Sequence, residues 1–362
     1  MSKGHVITGM SGGVDSSVAA FLLKSAGWEV TGVTMLLCAP ADSSSVEKAR
    51  SVAEGLGISF ETADYRDEFR ASVMDAFVSE YESGRTPNPC VICNRTMKFG
   101  KMYDDFSERL SDKLSDESPL MIATGHYARI EKGTDSNGNT RWMLGKAADL
   151  SKDQTYFLCG LSQETLSHTL FPLGSLTKDE VRRIAAAQGF ANARTKDSQD
   201  VCFIPDGDYA GFIKKYTGHD YAEGNFVDMD GNVLGRHKGI INYTIGQRKG
   251  LGIALGKPAF VYRIDTERNE VVLADDSDLY TEHLTVSDFN WVSIDNPGQP
   301  FRALCRIRYR HTEAPCTVTP LAGSRISITF DEPQRAVTPG QTAVLYDIEK
   351  GLYVLGGGTI IR

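Results

Sequence analysis

"HVITGMSGGVDSSVAAF", His5 to Phe21, decides the fold. "HVITGMS" reads as a buried strand, and "DSSVAAFLLKSAG" reads as a helix with Val18, Phe21 and Leu22 on one side and Gly27 as its stop. Between them lies Gly9 to Ser17, "GMSGGVDSS". Gly12 and Gly13 let backbone N–H groups approach an oxyanion closely. The helix N-terminus adds partial positive charge, and Ser11, Ser16 and Ser17 add hydroxyls. Such a loop suits a phosphate or pyrophosphate. It lacks both the lysine of GxxxxGK[ST] and the spacing of GxGxxG. Release of pyrophosphate from ATP with transfer of AMP therefore fits it better than transfer of a γ-phosphoryl group. The expected nucleotide contacts are Gly9, Met10, Ser11, Gly12, Gly13, Val14, Asp15 and Ser16, with Asp15 helping to hold Mg²⁺. Serine and glycine are also common in ordinary strand-to-helix turns, but the full SGGxDS string at the first junction is more specific.

Outward from the loop, strand and helix patterns alternate through the first 200 residues. "WEVTGVTML", "ISFETADY" and "PLMIATGHY" are strand-like, while "SSVEKARSVAEGLG", Glu68–Ser83, Arg95–Leu114 and "TKDEVRRIAAAQG" are helical. That alternation predicts an α/β unit with a parallel sheet covered on both faces. "EKGTDSNGNTRW" is a hairpin signal with Asn137-Gly138 at its tip. After about Ile204 short alternating runs separated by turn residues predict a β-rich remainder, and the chain divides at 1–205, 206–273 and 274–362.

The chain has 362 residues, 41% hydrophobic and 24% charged, with a net charge of −8. That length allows two or three domains. The net charge argues against non-specific nucleic-acid binding but leaves room for a local basic face. No apolar run approaches the ~18 residues of a membrane span, and no secretory leader is evident, so a cytoplasmic protein is expected. The seven cysteines are irregularly spaced, which argues against a disulfide scaffold. Cys90 and Cys93, in "TPNPCVICN", are three apart and open to several readings: a disulfide, half a metal site, or a nucleophile beside a helper. Cys38, Cys159, Cys305 and Cys316 have apolar neighbours in sequence and read as core.

"SGGVDS" resembles the PP-loop of the ATP pyrophosphatases. Further strings narrow the match: "TPNPCVICNRTMKF", "ATGHYAR", "SKDQTYFL", "DSQDVCFI", "YTIGQRKGLGI" and "LGGGTIIR". Together, and nearly end to end, they resemble the bacterial tRNA-specific 2-thiouridylases. The resemblance implies a PP-loop domain, a small β-rich central domain and a C-terminal β-barrel that contacts tRNA. It implies adenylation of the C2 carbonyl oxygen of the wobble uridine by ATP, then sulfur transfer from a persulfide. A pyrimidine carbonyl oxygen is a poor leaving group, and adenylation makes it leave as AMP. The rival expectations are another PP-loop ligase or amidotransferase, and a non-catalytic RNA-binding protein.

By that resemblance Cys93 is the nucleophile and Cys202 the persulfide carrier, and the two form a transient disulfide. Cys93 is expected just before a helix starting near Arg95, with Arg95 and Lys98 favouring its thiolate. Cys90 stands where many relatives have an acid/base aspartate. Cys90, Cys93 and Cys202 are alternatively ligands of an iron–sulfur cluster or zinc. Met35 and Gly125 match adenosine contacts. Asn88, Pro89 and Cys90 match the segment beside the target base. His126, Lys152, Asp153, Gln154, Arg308, Tyr309, Arg310 and Gln341 match tRNA contacts. "CRIRYRH" is expected to put Arg306, Arg308 and Arg310 on one face of a strand. The implied partners are tRNA and a sulfur-relay protein or cysteine desulfurase, with no membrane.

Overall fold

The structure, a computed structural model, describes residues 3–38, 43–114, 120–135, 138–193 and 201–361. Asn137 and the "DSQD" of residues 197–200 lie outside the described residues. The first strand, β1 (His5–Gly9), runs through the glycine loop into α1 (Val14–Ser25). α1 buries Val14, Val18, Ala19, Ala20 and Leu23, small enough side chains for the helix to lie close on the sheet. Then follow β2 (Glu29–Leu36), α2 (Ser43–Leu56) and β3 (Ser59–Asp64). Two long helices, α3 (66–82) and α4 (89–109), precede β4 (Leu120–Ala123). The expected hairpin is formed by β5 (Ala128–Thr134) and β6 (Thr140–Lys146). β7 (Thr169–Leu170) and α5 (Lys178–Ala187) complete the unit; a full capping box between Thr177 and Glu180 starts α5.

The sheet order is β3-β2-β1-β4-β7, and every pairing is parallel. β2 lies on one side of β1 and β4 on the other, so the winding reverses there. In such sheets a crevice opens at the reversal, outside the carboxyl ends of the strands. The glycine loop after β1 and Thr124–His126 after β4 therefore face each other across it.

Helix α4 departs from expectation. It begins at Pro89, not near Arg95, and ends at Arg109, short of Leu114. Proline reads as a turn signal, yet its fixed φ and missing N–H suit the first position of a helix. Cys90 therefore lies in the first turn and Cys93 one turn further on, inside the helix. Both long helices widen to π geometry, at Arg70–Met74 and Asn94–Lys101. Such widening is frequent at functional sites.

Beyond Ile204 the chain is not wholly β. Helix α6 (Tyr209–Thr217) is capped by the Asp208 carboxylate, which accepts from Gly211 N at 2.9 Å, and stops at left-handed Gly218. Its aromatic residues are strand-like in type but helical in spacing. Tyr209, Phe212, Ile213 and Tyr216 pack with Phe77, Tyr81 and Phe203. The central unit is a four-stranded sheet, order β10-β11-β8-β9, from β8 (Gly224–Val227), β9 (Val233–His237), β10 (Phe260–Asp265) and β11 (Glu270–Ala274). The C-terminal unit is a closed barrel running β12-β15-β14-β13-β16-β17. Its strands are β12 (Tyr280–Trp291), β13 (Phe301–Arg306), β14 (Ala314–Leu321), β15 (Arg325–Arg335), β16 (Thr342–Tyr346) and β17 (Val354–Ile360). Inward positions such as Ala303, Cys305, Cys316, Val318 and Ile328 fill it. No helix among the described residues is long and apolar enough to cross a membrane.

The expected arginine row does not form. β13 ends at Arg306, and the chain then turns, with His311 N bonded to Arg308 O at 3.0 Å. Arg306 folds back onto the Tyr309 carbonyl and lies 3.5 Å from Glu313. Arg308 donates to Ala336 O and Thr338 Oγ1, each at 2.5 Å. Alternation of side chains holds only while the strand lasts.

Candidate active site

Backbone geometry shapes the nucleotide loop first. Gly12 has φ +74°, and a Cβ there would land on the Ser45 carbonyl oxygen. A Cβ on Gly125 would lie 2.7 Å from Ser16 N and 2.8 Å from Asp15 C, so glycine lets the turn after β4 touch the start of α1. Hydroxyls knit the loop: Ser11 N donates to Ser16 Oγ at 3.2 Å, and Ser16 and Ser17 donate to Gly13 O at 3.1 and 3.0 Å. Met10 and Val14 are buried beneath it, while Ser11 is exposed. Met35 is half-buried near the end of β2.

Three residues that sequence reasoning missed brace this loop. Buried Asn192 donates to Gly12 O at 2.8 Å and Ser17 Oγ at 2.9 Å. Lys178 Nζ lies 2.8 Å from both Asp15 oxygens, and Tyr127 OH donates to Asp15 Oδ1 at 2.8 Å. They lie over 100 residues along the chain from the loop, and nothing local in their sequence marks them. Asp15 is thus engaged by an ammonium and a hydroxyl, and the residues as arranged do not present it as an open ligand for Mg²⁺.

The thiols lie toward the carboxyl ends of the same sheet, since Cys38 after β2 feels Cys202 and Cys93, and Lys98 acts on all three of Cys90, Cys93 and Cys202 and on His126 after β4. Cys90 and Cys93 share a face of α4, one turn apart. Cys90 is exposed and Cys93 buried, 7% accessible. Cys202 is exposed too, held in place by its neighbour Phe203, which packs edge-on against Phe69 and Phe77 with ring centroids 5.6 and 5.4 Å apart. Asn94, buried beside Cys93, donates to Phe157 O at 3.0 Å and pins the helix.

Burial pushes the Cys93 thiol up to about 11, whereas the Lys98 ammonium draws it down and the Cys202 and Cys90 thiols push it up. Burial also raises Cys90 and Cys202, again against Lys98. Both are exposed at the surface yet crowded enough by protein for desolvation to raise them. The expected thiolate at Cys93 is therefore not favoured here: desolvation outweighs the cation, and exposed Arg95 acts instead on Cys159. Cys38 is not simply core. It is half-buried, and its thiol is pushed up to about 12, by burial first and then by Cys202 and Cys93. Among the described residues no three His, Cys, Asp or Glu side chains are placed to hold a metal ion. Cys90, Cys93 and Cys202 as arranged do not make the ligand set of a cluster or zinc.

His126 links the two halves. It is buried, its Nδ1 lies 2.6 Å from Thr124 Oγ1, and it packs near Phe99 and Phe171. Burial, reinforced by Lys98, holds it well below the ordinary histidine range.

The remaining expected contacts lie between the units. Asn88 is the residue before α4 and Pro89 is buried at its start. Gln341 Nε2 donates to Thr86 O at 2.9 Å and Pro87 O at 3.3 Å, and Thr86 N donates to Pro339 O at 2.9 Å. The barrel thus grips the approach to Cys90. Asp153 is buried, accepting from Ala147 N and Thr155 Oγ1, while Lys152 and Gln154 are half-buried beside it. Tyr309 OH donates to Asp153 O at 3.3 Å, and Arg310 is exposed.

Family models match the chain in succession: "tRNA methyl transferase HUP domain" over residues 4–206, "tRNA methyl transferase PRC-barrel domain" over 210–275 and "Aminomethyltransferase beta-barrel domain" over 281–360. The tRNA-specific 2-thiouridylase MnmA of Lachnoclostridium phytofermentans is 48% identical, covering 99% of both chains. That of Acetivibrio thermocellus is 46% identical over 99% of this chain and all of the relative, and that of Clostridioides difficile 47% over 98% and 97%. With identity at this level and coverage nearly complete on both sides, the chain belongs to the tRNA-specific 2-thiouridylase family.

Proposed function

We propose that the chain is a transferase that uses ATP to convert the wobble uridine of tRNA to 2-thiouridine. The observation that carries this reading is the gathering of Cys90, Cys93 and Cys202 around Lys98, which also acts on His126 after β4, while Cys38 after β2 feels Cys93 and Cys202, so the thiols lie toward the carboxyl ends of the sheet where the glycine loop opens. Kinship over the whole length with 2-thiouridylases supports it.

In this reading ATP lies on Gly9–Ser16, Met35 and Gly125, with Mg²⁺ arriving on its phosphates. The uridine O2 attacks the α-phosphorus and pyrophosphate leaves. The Cys93 thiolate attacks the inner sulfur of a Cys202 persulfide. That forms the Cys93–Cys202 disulfide and releases hydrosulfide, which attacks C2. AMP departs with the bonding pair, and the proton on sulfur passes to a base, the position where Cys90 stands. A dithiol reductant reopens the disulfide. Burial disfavours the Cys93 thiolate, and the Lys98 ammonium opposes it. Asn88 and Pro89 flank the extruded base. His126, Lys152–Gln154, Arg308–Arg310 and Gln341 are assigned to tRNA, a cysteine desulfurase or relay protein to sulfur supply, and the cytoplasm to location. We divide the labour among 1–205 for chemistry and 206–273 and 274–362 for tRNA.

The test is reconstitution with ATP, unmodified tRNA and a persulfide donor, read by mass spectrometry of digested nucleosides. 2-Thiouridine is expected. Cys93→Ala and Cys202→Ala should each cut it by about 10³-fold or more while nucleotide binding persists. A methylated product, or normal thiolation by either variant, defeats the proposal.

A further inference from the structure

The nucleotide loop carries an acid where a triphosphate would bring more negative charge. Asp15 is in the first turn of α1, and an unpaired carboxylate there would repel phosphate oxygens. Lys178 and Tyr127, both buried, satisfy it at 2.8 Å. Both also belong to a second structure. Lys178 N donates to Asp149 Oδ2 at 3.0 Å. Tyr127 N donates to Gln154 Oε1, and Gln154 N donates to Tyr127 O, each at 2.9 Å. Segment 149–154 is thus fastened to the two residues that hold Asp15.

The segment's other side meets the barrel. Tyr309 OH donates to Asp153 O at 3.3 Å, and the Thr155 and Tyr346 hydroxyls are 3.4 Å apart. A continuous run of polar contacts therefore leads from barrel to segment to Asp15. Asp153, Thr155, Tyr127 and Lys178 are buried, whereas the linking residues Asp149, Gln154 and Tyr309 are half-buried, so the run is anchored at its ends and able to shift between them.

We infer that Tyr127 and Lys178 are positioning residues that register segment 149–154 against Asp15, so that RNA engaging the segment and barrel sets the loop for ATP. This rests on the proposed tRNA reading. A ligand that orders the segment orders the backbones of Tyr127 and Lys178, and with them the two donors to Asp15. The second ligand then meets a loop already arranged. Linkage makes the effect reciprocal: ATP tightens RNA by the factor by which RNA tightens ATP. Tyr127→Phe removes one link and leaves the lysine charge and the ring's packing against Val14 and Val18.

The experiment measures binding of α,β-methylene-ATP to the full chain with and without saturating unmodified tRNA. Wild type should show tightening of about fivefold or more. Tyr127→Phe should bring the ratio below about twofold. Lys178→Gln should lower the ratio likewise, and Lys178→Arg, which keeps the charge, should restore part of it. A wild-type ratio of one, or an unchanged ratio in Tyr127→Phe, overturns the inference. So does a variant with a lower melting temperature but an intact ratio, which would mark the contacts as structural only. A chain that binds no tRNA at all would instead sink the proposed function.

Discussion

The two walls of the crevice are built on opposite principles. On the nucleotide side polar groups are met by protein: loop hydroxyls by loop carbonyls, Gly12 O by Asn192, Asp15 by Lys178 and Tyr127. On the sulfur side Cys90 and Cys202 are exposed free thiols, Cys93 is covered, and α4 is widened to π geometry from Asn94 to Lys101. The difference matches the work proposed for each. A phosphate cradle gains from donors fixed in advance, because ordering them during the reaction would raise the barrier. Thiols that hand a sulfur from one chain segment to another must approach and separate.

The comparison breaks most readily at Gly125. A Cβ there meets the Asp15–Ser16 peptide, 2.7 Å from Ser16 N and 2.8 Å from Asp15 C, and backbone in a fixed wall cannot give way cheaply. Gly125→Ala should cost about 2 kcal/mol of nucleotide binding, roughly a 30-fold rise in Kd by equilibrium dialysis. On the opposite wall, exposed Cys90→Ser should change unfolding free energy by less than about 0.5 kcal/mol in urea titrations. Tight nucleotide binding by Gly125→Ala would show the cradle to be as adjustable as the thiol side.

Legibility in the sequence follows the same divide. The loop is nine consecutive residues between a strand and a helix, so its geometry was readable from Gly9 to Ser17 alone. Its braces were not, because Tyr127, Lys178 and Asn192 arrive through tertiary folding and carry no local signal. On the thiol wall the cysteine types were readable and their environment was not. The helix expected to start near Arg95 starts at Pro89, which moved Cys93 from ahead of the dipole to within the helix. Cys38 looked like core from its apolar neighbours, yet folding leaves it half-buried within electrostatic reach of Cys93 and Cys202. The arginine run was read as a strand face, but the barrel ends β13 at Arg306.

Lys98 sharpens the comparison on the sulfur side. It is the charge that favours the thiolates of Cys90, Cys93 and Cys202 against burial. Lys98→Met should raise all three thiol pKa values. Iodoacetamide labelling of the exposed pair at pH 8, followed by peptide mass spectrometry, should slow, since a higher pKa leaves less thiolate at that pH. Unchanged labelling would mean that the lysine does not govern these thiols, and that another ligand must activate them.

The smallest effect tests the residue between the walls. Burial, with Lys98 beside it, holds His126 well below the ordinary histidine range, so it is neutral in the folded chain while the unfolded chain titrates near 6.5. Below that pH the unfolded state binds a proton that the folded state refuses, so stability falls on acidification and levels off above it. The slope from His126 is at most about 1.4 kcal/mol per pH unit. His168, His237 and His311, also lowered by burial, add their own. His126→Gln should remove its share, flattening the fall in urea midpoint between pH 6.5 and 5.5 relative to wild type. An identical slope in the variant would mean that the His126 ring takes up its proton without unfolding. The junction between the walls would then be looser than its packing against Phe99 and Phe171 implies.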